Sequence, residues 1–194
     1  MMYRMIGIAA ALVLMCGSAA TAWAQVSRRV AIGGSIGIVE PPHENLDRAV
    51  VLGPIFAIRR GDGWGPAVGF SWYRTQDAED LVEYRIRPVM AGVAYHVEAG
   101  RIRISPSVVA GYSFNRAKFK GQPPQNVDLK DGFAWRPGVS IWVDTDSRIS
   151  LNTFVGYLVT RGDIDFGTGP GGSSSARFKA DALIWTGGVA VWVR

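Results

Sequence analysis

Residues 102–115 read Ile-Arg-Ile-Ser-Pro-Ser-Val-Val-Ala-Gly-Tyr-Ser-Phe-Asn. Taken alternately, Ile102, Ile104, Pro106, Val108, Ala110, Tyr112 and Phe114 form one set. Arg103, Ser105, Ser107, Val109, Gly111, Ser113 and Asn115 form the other. Successive side chains of a strand point to opposite faces, so this spacing specifies a strand with one large apolar face and one small, mildly polar face.

The same division recurs along the chain. Val30, Ile32, Ile36 and Ile38 stand against Ala31, Gly33, Ser35 and Gly37, and Trp64, Pro66, Val68, Phe70 and Trp72 against Gly65, Ala67, Gly69, Ser71 and Tyr73. Phe133, Trp135, Pro137, Val139, Ile141 and Val143 oppose Ala134, Arg136, Gly138, Ser140 and Trp142. Ile149, Leu151, Val155 and Tyr157 oppose Ser150, Asn152 and Gly156, with Phe154 and Leu158 as large intruders on the small face. No segment after Gln25 sustains a helical period. The pattern predicts strands over 30–39, 50–59, 64–74, 84–97, 101–115, 133–144, 148–160 and 178–193. The fourth can face either way. The set Val89, Ala91, Val93, Tyr95 and Val97 is preferred as its outer face over Ile86, Pro88, Met90 and Ala94, because it hides His96.

The gaps between these strands are 10, 4, 9, 3, 17, 3 and 17 residues, alternating long and short. Arg60-Gly61-Asp62-Gly63, Glu98-Ala99-Gly100 and Thr145-Asp146-Ser147 suit tight turns. The long gaps collect Pro, Gly and acidic residues, and Gly167–Ser175 reads as a mobile loop. An even number of strands, with short turns at one end and long loops at the other, is the layout of a transmembrane β-barrel, though a soluble up-and-down barrel shares it. The faces discriminate. With the apolar face inward, the surface would be Gly, Ala and Ser, whereas soluble surfaces carry interspersed charge. With the apolar face in lipid, the small residues fill the narrow interior of an eight-stranded barrel. The expected fold is therefore all-β, an eight-stranded antiparallel up-and-down transmembrane barrel. If the first strand runs outward, Trp72, Tyr112, Phe114, Phe133, Trp135 and Tyr157 fall near the outer interface and Trp64 and Tyr95 near the inner one, as aromatic girdles require.

The ends agree. Residues 1–24 carry Arg4, an apolar run from Ile6 to Met15 and the closing Ala22-Trp23-Ala24, the order of a cleaved signal peptide, which leaves 25–194 as one barrel domain. The run is too short for an ordinary membrane-spanning helix. Cys16 is the only cysteine, and Met15 before it disfavours lipidation there. The chain has 194 residues, 19% charged, with a net charge of +5 from scattered rather than clustered basic residues, which argues against nucleic-acid binding.

With these features the chain resembles the small bacterial outer-membrane β-barrels, the superfamily of OmpA-like, OmpX-like and OmpW-like proteins. Pro66-Ala67-Val68-Gly69, Pro88-Val89-Met90-Ala91-Gly92 and Pro106–Tyr112 are carriers of the resemblance, with Pro54 and Pro137 completing a set of strand prolines. The resemblance implies an outer-membrane location, contact with lipid and lipopolysaccharide, a monomer with one chain per barrel, and assembly by the barrel-assembly machinery. Thr186, Gly188, Val191 and Val193 match the spacing of the family's C-terminal assembly signal, with valines where aromatics are usual and Arg194 beyond. That match also sets Leu183, Trp185, Val189, Val191 and Val193 on the lipid face.

Candidate chemistry is sparse. His43 lies near Glu44 and Asp47, and His96 lies by a short turn; neither starts a His-x-Ser arrangement. Glu40, Glu44, Asp163 and Asp165 would hold a divalent cation only if their loops converge. Gly61-Asp62-Gly63-Trp64-Gly65 joins strand to strand, so it lacks the helix a phosphate loop needs. The sequence thus designates no catalytic residue, no cofactor and no metal. Arg59, Arg103 and Arg136 are expected to point inward onto acids or backbone carbonyls. Arg85, Arg87, Arg116, Lys118, Lys120, Arg177 and Lys179 crowd the outer ends, where lipopolysaccharide phosphates or plain solvent would meet them. The expected role is non-enzymatic, structural or surface-interacting, with extracellular ligands met through the long loops, or narrow passage of small or hydrophobic solutes. The rivals are a soluble periplasmic lipocalin-like binding barrel and an outer-membrane lipid-modifying enzyme.

Overall fold

The computed structural model describes residues 29–42, 47–59, 61–76, 81–120, 126–145, 148–168 and 172–193. The expected signal peptide lies outside these residues. The strands are β1 (Arg29–Glu40), β2 (Ala49–Arg59), β3 (Gly63–Phe70), β4 (Trp72–Gln76), β5 (Val82–Ala99), β6 (Ile102–Phe119), β7 (Asn126–Leu129), β8 (Gly132–Asp144), β9 (Ile149–Thr168), β10 (Gly172–Lys179) and β11 (Ala182–Val193). All pairings are antiparallel. Each barrel strand joins its chain neighbours, β8 pairs with β9, and β11 returns to β1, which closes the ring.

The eleven segments make eight barrel positions. β3 and β4 are one strand interrupted at Ser71, β7 and β8 one interrupted at Lys130-Asp131, and β10 and β11 one interrupted at Ala180-Asp181. The alternation decides which face is which. Ile32, Ile36, Val68, Val93, Val108, Val139, Leu151 and Val189 lie on the exterior, each two-fifths exposed or more, while Ala31, Ala94, Ala134 and Ala190 are buried in the lumen. An exterior of this composition is solvated by hydrocarbon rather than by water, and closure of the ring pairs the edges of the first and last strands. The fourth position resolves as preferred: Val89, Val93, Tyr95 and Val97 are outside, and Ile86, Pro88, Met90 and Ala94 are inside. The eight aromatic residues expected at the interfaces are all exterior, and Trp64 and Tyr95 meet edge to face at 5.3 Å.

The outer half departs from the sequence expectation. β5 and β6 run to 18 residues each and β9 to 20. A 12-residue strand such as β1, at about 3.3 Å per residue and a tilt of about 40°, crosses about 30 Å of membrane. By the same measure β9 reaches about 50 Å and stands about 20 Å above the lipid. Much of the two 17-residue gaps is strand. Asn126–Leu129 pairs with Ile164–Gly167, and Gly172–Lys179 pairs with Arg161–Thr168. The expectation of a mobile loop over Gly167–Ser175 is thus wrong for 167–168 and 172–175. Backbone pairing in a hairpin needs no large side chains, so Gly and Ser do not veto it.

One seam is thinly joined. β2 meets the next strand only at Val51↔Tyr73 and Leu52↔Trp72, and among the described residues β3 has no ladder to β2. Phe56 and Phe70 touch across it, ring centroids 5.9 Å apart. The two bordering strands carry Pro54 and Pro66, and proline is best tolerated where one edge of a strand goes unpaired.

Candidate functional site: a plugged lumen and a cationic outer rim

The lumen is filled in three layers. Nearest the outer mouth large apolar side chains share it with the buried Thr75, Ser113, Asn115 and Thr160. Ile86, Leu158 and Ile184 are completely buried, with Val39, Val51, Tyr73, Leu129, Ile164 and Phe178 packed around them. The expected small, mildly polar face is thus joined by more large apolar side chains than Phe154 and Leu158, the two foreseen. Leu158 is part of that plug rather than a defect of the pattern.

The middle layer is built on Arg136. Its Nη1 donates to Ser71 Oγ at 2.6 Å, and its guanidinium carbon lies 4.4 Å from the centre of the Phe154 ring. The expected partners were acids or carbonyls; a hydroxyl and an aromatic face hold it instead, a geometry a planar guanidinium suits. Glycines make the room. A Cβ on Gly138 would come 2.4 Å from Phe154 Cζ, one on Gly156 equally close, and one on Gly69 2.8 Å from Arg136 Nη2. Gly138 and Gly156 are register partners, so the ring lies over a two-glycine floor. The small face seen in the sequence is the imprint of these large neighbours.

The inner layer is built on Arg103, whose guanidinium lies 5.0 Å from the Trp142 ring and 5.1 Å from the Trp192 ring. Glu98 Oε1 approaches Arg103 Nη1 at 3.8 Å. Trp192 Nε1 donates to Ser150 Oγ at 2.6 Å, and Ser150 donates to Asp144. Arg103 and Arg136 therefore point inward as expected; the side chain of Arg59 lies outside the described residues. Beside this layer His96 Nδ1 and Ser105 Oγ are 2.8 Å apart across β5 and β6. Reading for a local His-x-Ser arrangement misses this pair, because strand register joins residues nine apart in the chain. Ser105 is buried, so the pair is a rung of the lumen wall.

The other candidates do not come together among the described residues. His43 and Glu44 lie outside the described residues. Glu40 is paired with Arg48 at the end of β1, Asp163 stands exposed on β9, and the Asp165 side chain is outside the described set. Among the described residues no three His, Cys, Asp or Glu side chains gather as metal ligands.

The outer rim is where charge concentrates. On the exterior of β4, β5 and β6, Glu83 Oε1 accepts from Arg85 Nε at 2.8 Å and lies 3.3 Å from Arg74 Nε, while its Oε2 lies 3.7 Å from Lys120 Nζ. The hydrogen bond from Arg85, with the charges of Arg74, Arg85 and Lys120, holds the Glu83 carboxyl below its ordinary pKa, against the opposing effect of burial. One carboxylate offsets only part of the positive charge, since Arg87, Arg116 and Lys118 share this face. Across the mouth Arg161 is clasped by Asp181, with Nη2 to Oδ2 at 3.0 Å.

No protein-family model matches the chain, and no curated protein sequence matches it. Solved structures do. The outer membrane protein OprG from Pseudomonas aeruginosa superposes with a TM-score of 0.64 at 13% identity, over 86% of this chain and 96% of that one. A major outer membrane protein from Thermus thermophilus gives 0.60 at 10% identity, over 87% and 100%. Ail of Yersinia pestis, in complex with the heparin analogue sucrose octasulfate, gives 0.51 at 13% identity, over 86% and 97%. The fold is therefore that of the small bacterial outer-membrane β-barrels. The apolar exterior belt with its aromatic margins is the surface such a fold presents to a membrane.

Proposed function

We propose that the protein is a non-enzymatic outer-membrane barrel that acts through its outer surface, in contact with lipopolysaccharide and with extracellular ligands, as a monomer delivered by the barrel-assembly machinery. The filled lumen carries this reading. Three packed layers span the interior, while β5, β6, β7, β9 and β10 carry the chain above the lipid, where partners can reach it. Reconstitution in planar bilayers tests it. The unaltered barrel should give no steady conductance, and Arg136→Ala combined with Phe154→Ala should open measurable current by removing the middle layer. Steady current through the unaltered barrel would refute the plugged-lumen argument.

A second reading, narrow passage of small apolar solutes, draws on the seam between β2 and β3. Unpaired backbone facing hydrocarbon is costly, so a seam of this kind is a place where the wall can part. Cysteines at Phe56 and Phe70, joined by a short bis-maleimide, should stop uptake of a hydrophobic solute into loaded vesicles and leave heat-dependent gel mobility intact. Uptake that continues through the cross-linked barrel excludes the seam as a route.

A further inference from the structure

The exterior of β4, β5 and β6 places three arginines side by side. Arg74 is opposite Arg85, and Arg85 is opposite Arg116, so one horizontal row across three strands is entirely cationic. Like charges directly opposite one another in a sheet repel. The row above, Gln76–Glu83–Lys118, supplies one acid, and its carboxylate is already shared by Arg74, Arg85 and Lys120. The row below brings Arg87 beside Phe114. Among the described residues the side chains of Arg87 and Arg116 make no ion pair or hydrogen bond, and both are exposed. Six cations and one carboxylate thus share a single outward face.

This face also has a shape. Trp72, Arg85, Arg87, Val89, Phe114 and Arg116 line an open groove of about 600 Å³. Its lower wall is lipid-facing: Trp72, Val89 and Phe114 are 49%, 42% and 44% exposed on the apolar exterior. Its upper wall is guanidinium. The groove therefore straddles the level where hydrocarbon gives way to headgroups.

We propose that this groove binds a phosphate of an outer-leaflet lipid A, with Arg85, Arg87 and Arg116 on the phosphate and an acyl chain along Trp72, Val89 and Phe114. The assignment rests on the lipid-contact reading above and gives it an address. Charge complementarity selects an anion, since a planar guanidinium forms paired hydrogen bonds with phosphate and an anion relieves the repulsion within the row. The apolar lower wall selects a lipid over a free ion, because a soluble anion would leave Trp72 and Phe114 without a partner in the groove. Lipid A offers two phosphates and acyl chains at this depth.

The test uses the full barrel purified in detergent and native mass spectrometry to count retained lipids. The probes are lipid A carrying both phosphates, lipid A stripped of phosphate, phosphatidylglycerol and inorganic phosphate. The expected result is retention of phosphorylated lipid A, no retention of the stripped form, and retention weakened about tenfold or more in Arg87→Gln/Arg116→Gln, as loss of charged hydrogen bonds implies. Unchanged heat-dependent gel mobility shows that the variant folds, and single Arg116→Gln, with a smaller expected loss, serves if the double variant does not. Unchanged retention by these variants would overturn the site while leaving lipopolysaccharide contact standing. Failure of the unaltered barrel to retain any lipid A would overturn both. Equal retention of phosphatidylglycerol would make the occupant any anionic lipid, and displacement of lipid A by millimolar inorganic phosphate would make it a free anion; either result overturns the assignment to lipid A.

Discussion

The two-glycine floor under Phe154 allows a quantitative test of the middle layer. In Gly138→Ala the new methyl would stand 2.4 Å from Phe154 Cζ and 2.5 Å from Cε2, far inside normal contact. The ring cannot move freely, because Arg136 is stacked on it and bonded to Ser71 on another strand. Overpacking of this kind costs about 1–3 kcal/mol. Phe154→Leu alone shortens the side chain and loses the cation–ring contact, at about 1–2 kcal/mol. The double variant should fall short of the sum by at least about 1 kcal/mol, since the leucine no longer occupies the space the methyl needs. A residual cost should remain, as the methyl also lies 2.8 Å from the Val155 carbonyl oxygen. Reversible urea unfolding in lipid vesicles, followed by tryptophan fluorescence, measures all four corners of the cycle. A neutral Gly138→Ala, or additivity within about 0.5 kcal/mol, would refute the placement of the ring over the glycines.

Three further outcomes are expected. Val93→Lys puts a charge on the lipid face and should destabilise the barrel by about 2–4 kcal/mol near the midplane; a neutral result by the same unfolding assay would mean that β5 faces the other way. Glu83, held below its ordinary pKa, contributes stability that is present above the ordinary carboxylate value and lost as pH falls through the lowered one. The unfolding midpoint should drop on acidification through that window, and Glu83→Gln should be less stable at neutral pH and flatter on the acid side. His96→Ala removes a lumen rung to Ser105 and should cost about 1 kcal/mol, read as a modest shift in the urea midpoint.

Much of the fold is legible from alternation alone. The sets beginning at Ile102 and Arg103 separate lipid face from lumen without error across the membrane, because one face of every spanning strand meets a single solvent. Above the membrane that constraint disappears. Ser173, Ser174 and Ser175 belong to a strand whose register is set by β9, not by their own side chains. The intrusions of Phe154 and Leu158 looked like exceptions to a small-residue lumen. They are its contents, and the glycines around Phe154 are the accommodation. The His96–Ser105 pair and the Arg74–Arg85–Arg116 row were equally hidden, since each depends on which residue of one strand stands opposite which residue of the next. Composition shows the arginines near the outer ends. Only register shows that three of them share a row.

The closing register also constrains the order of events during assembly. Val30 meets Val193, and the β1–β11 ladder runs through eleven pairs to Glu40 and Leu183. Every other neighbouring pair of barrel strands is joined by a local connection, and all but the thinly joined pair at the β2 seam can zip as a hairpin. The β1–β11 ladder alone joins the two ends of the barrel chain. Until the last strand arrives, both β1 and β9 expose an edge in a medium that cannot hydrate it. The entropic penalty of joining distant ends rises only by about 0.6 kcal/mol for each doubling of the intervening chain, so equilibrium stability hardly feels the distance. The rate does. Closure should be the slow, late and cooperative step, and damage to β11 should leave open sheets that associate edge to edge rather than barrels that are merely weaker.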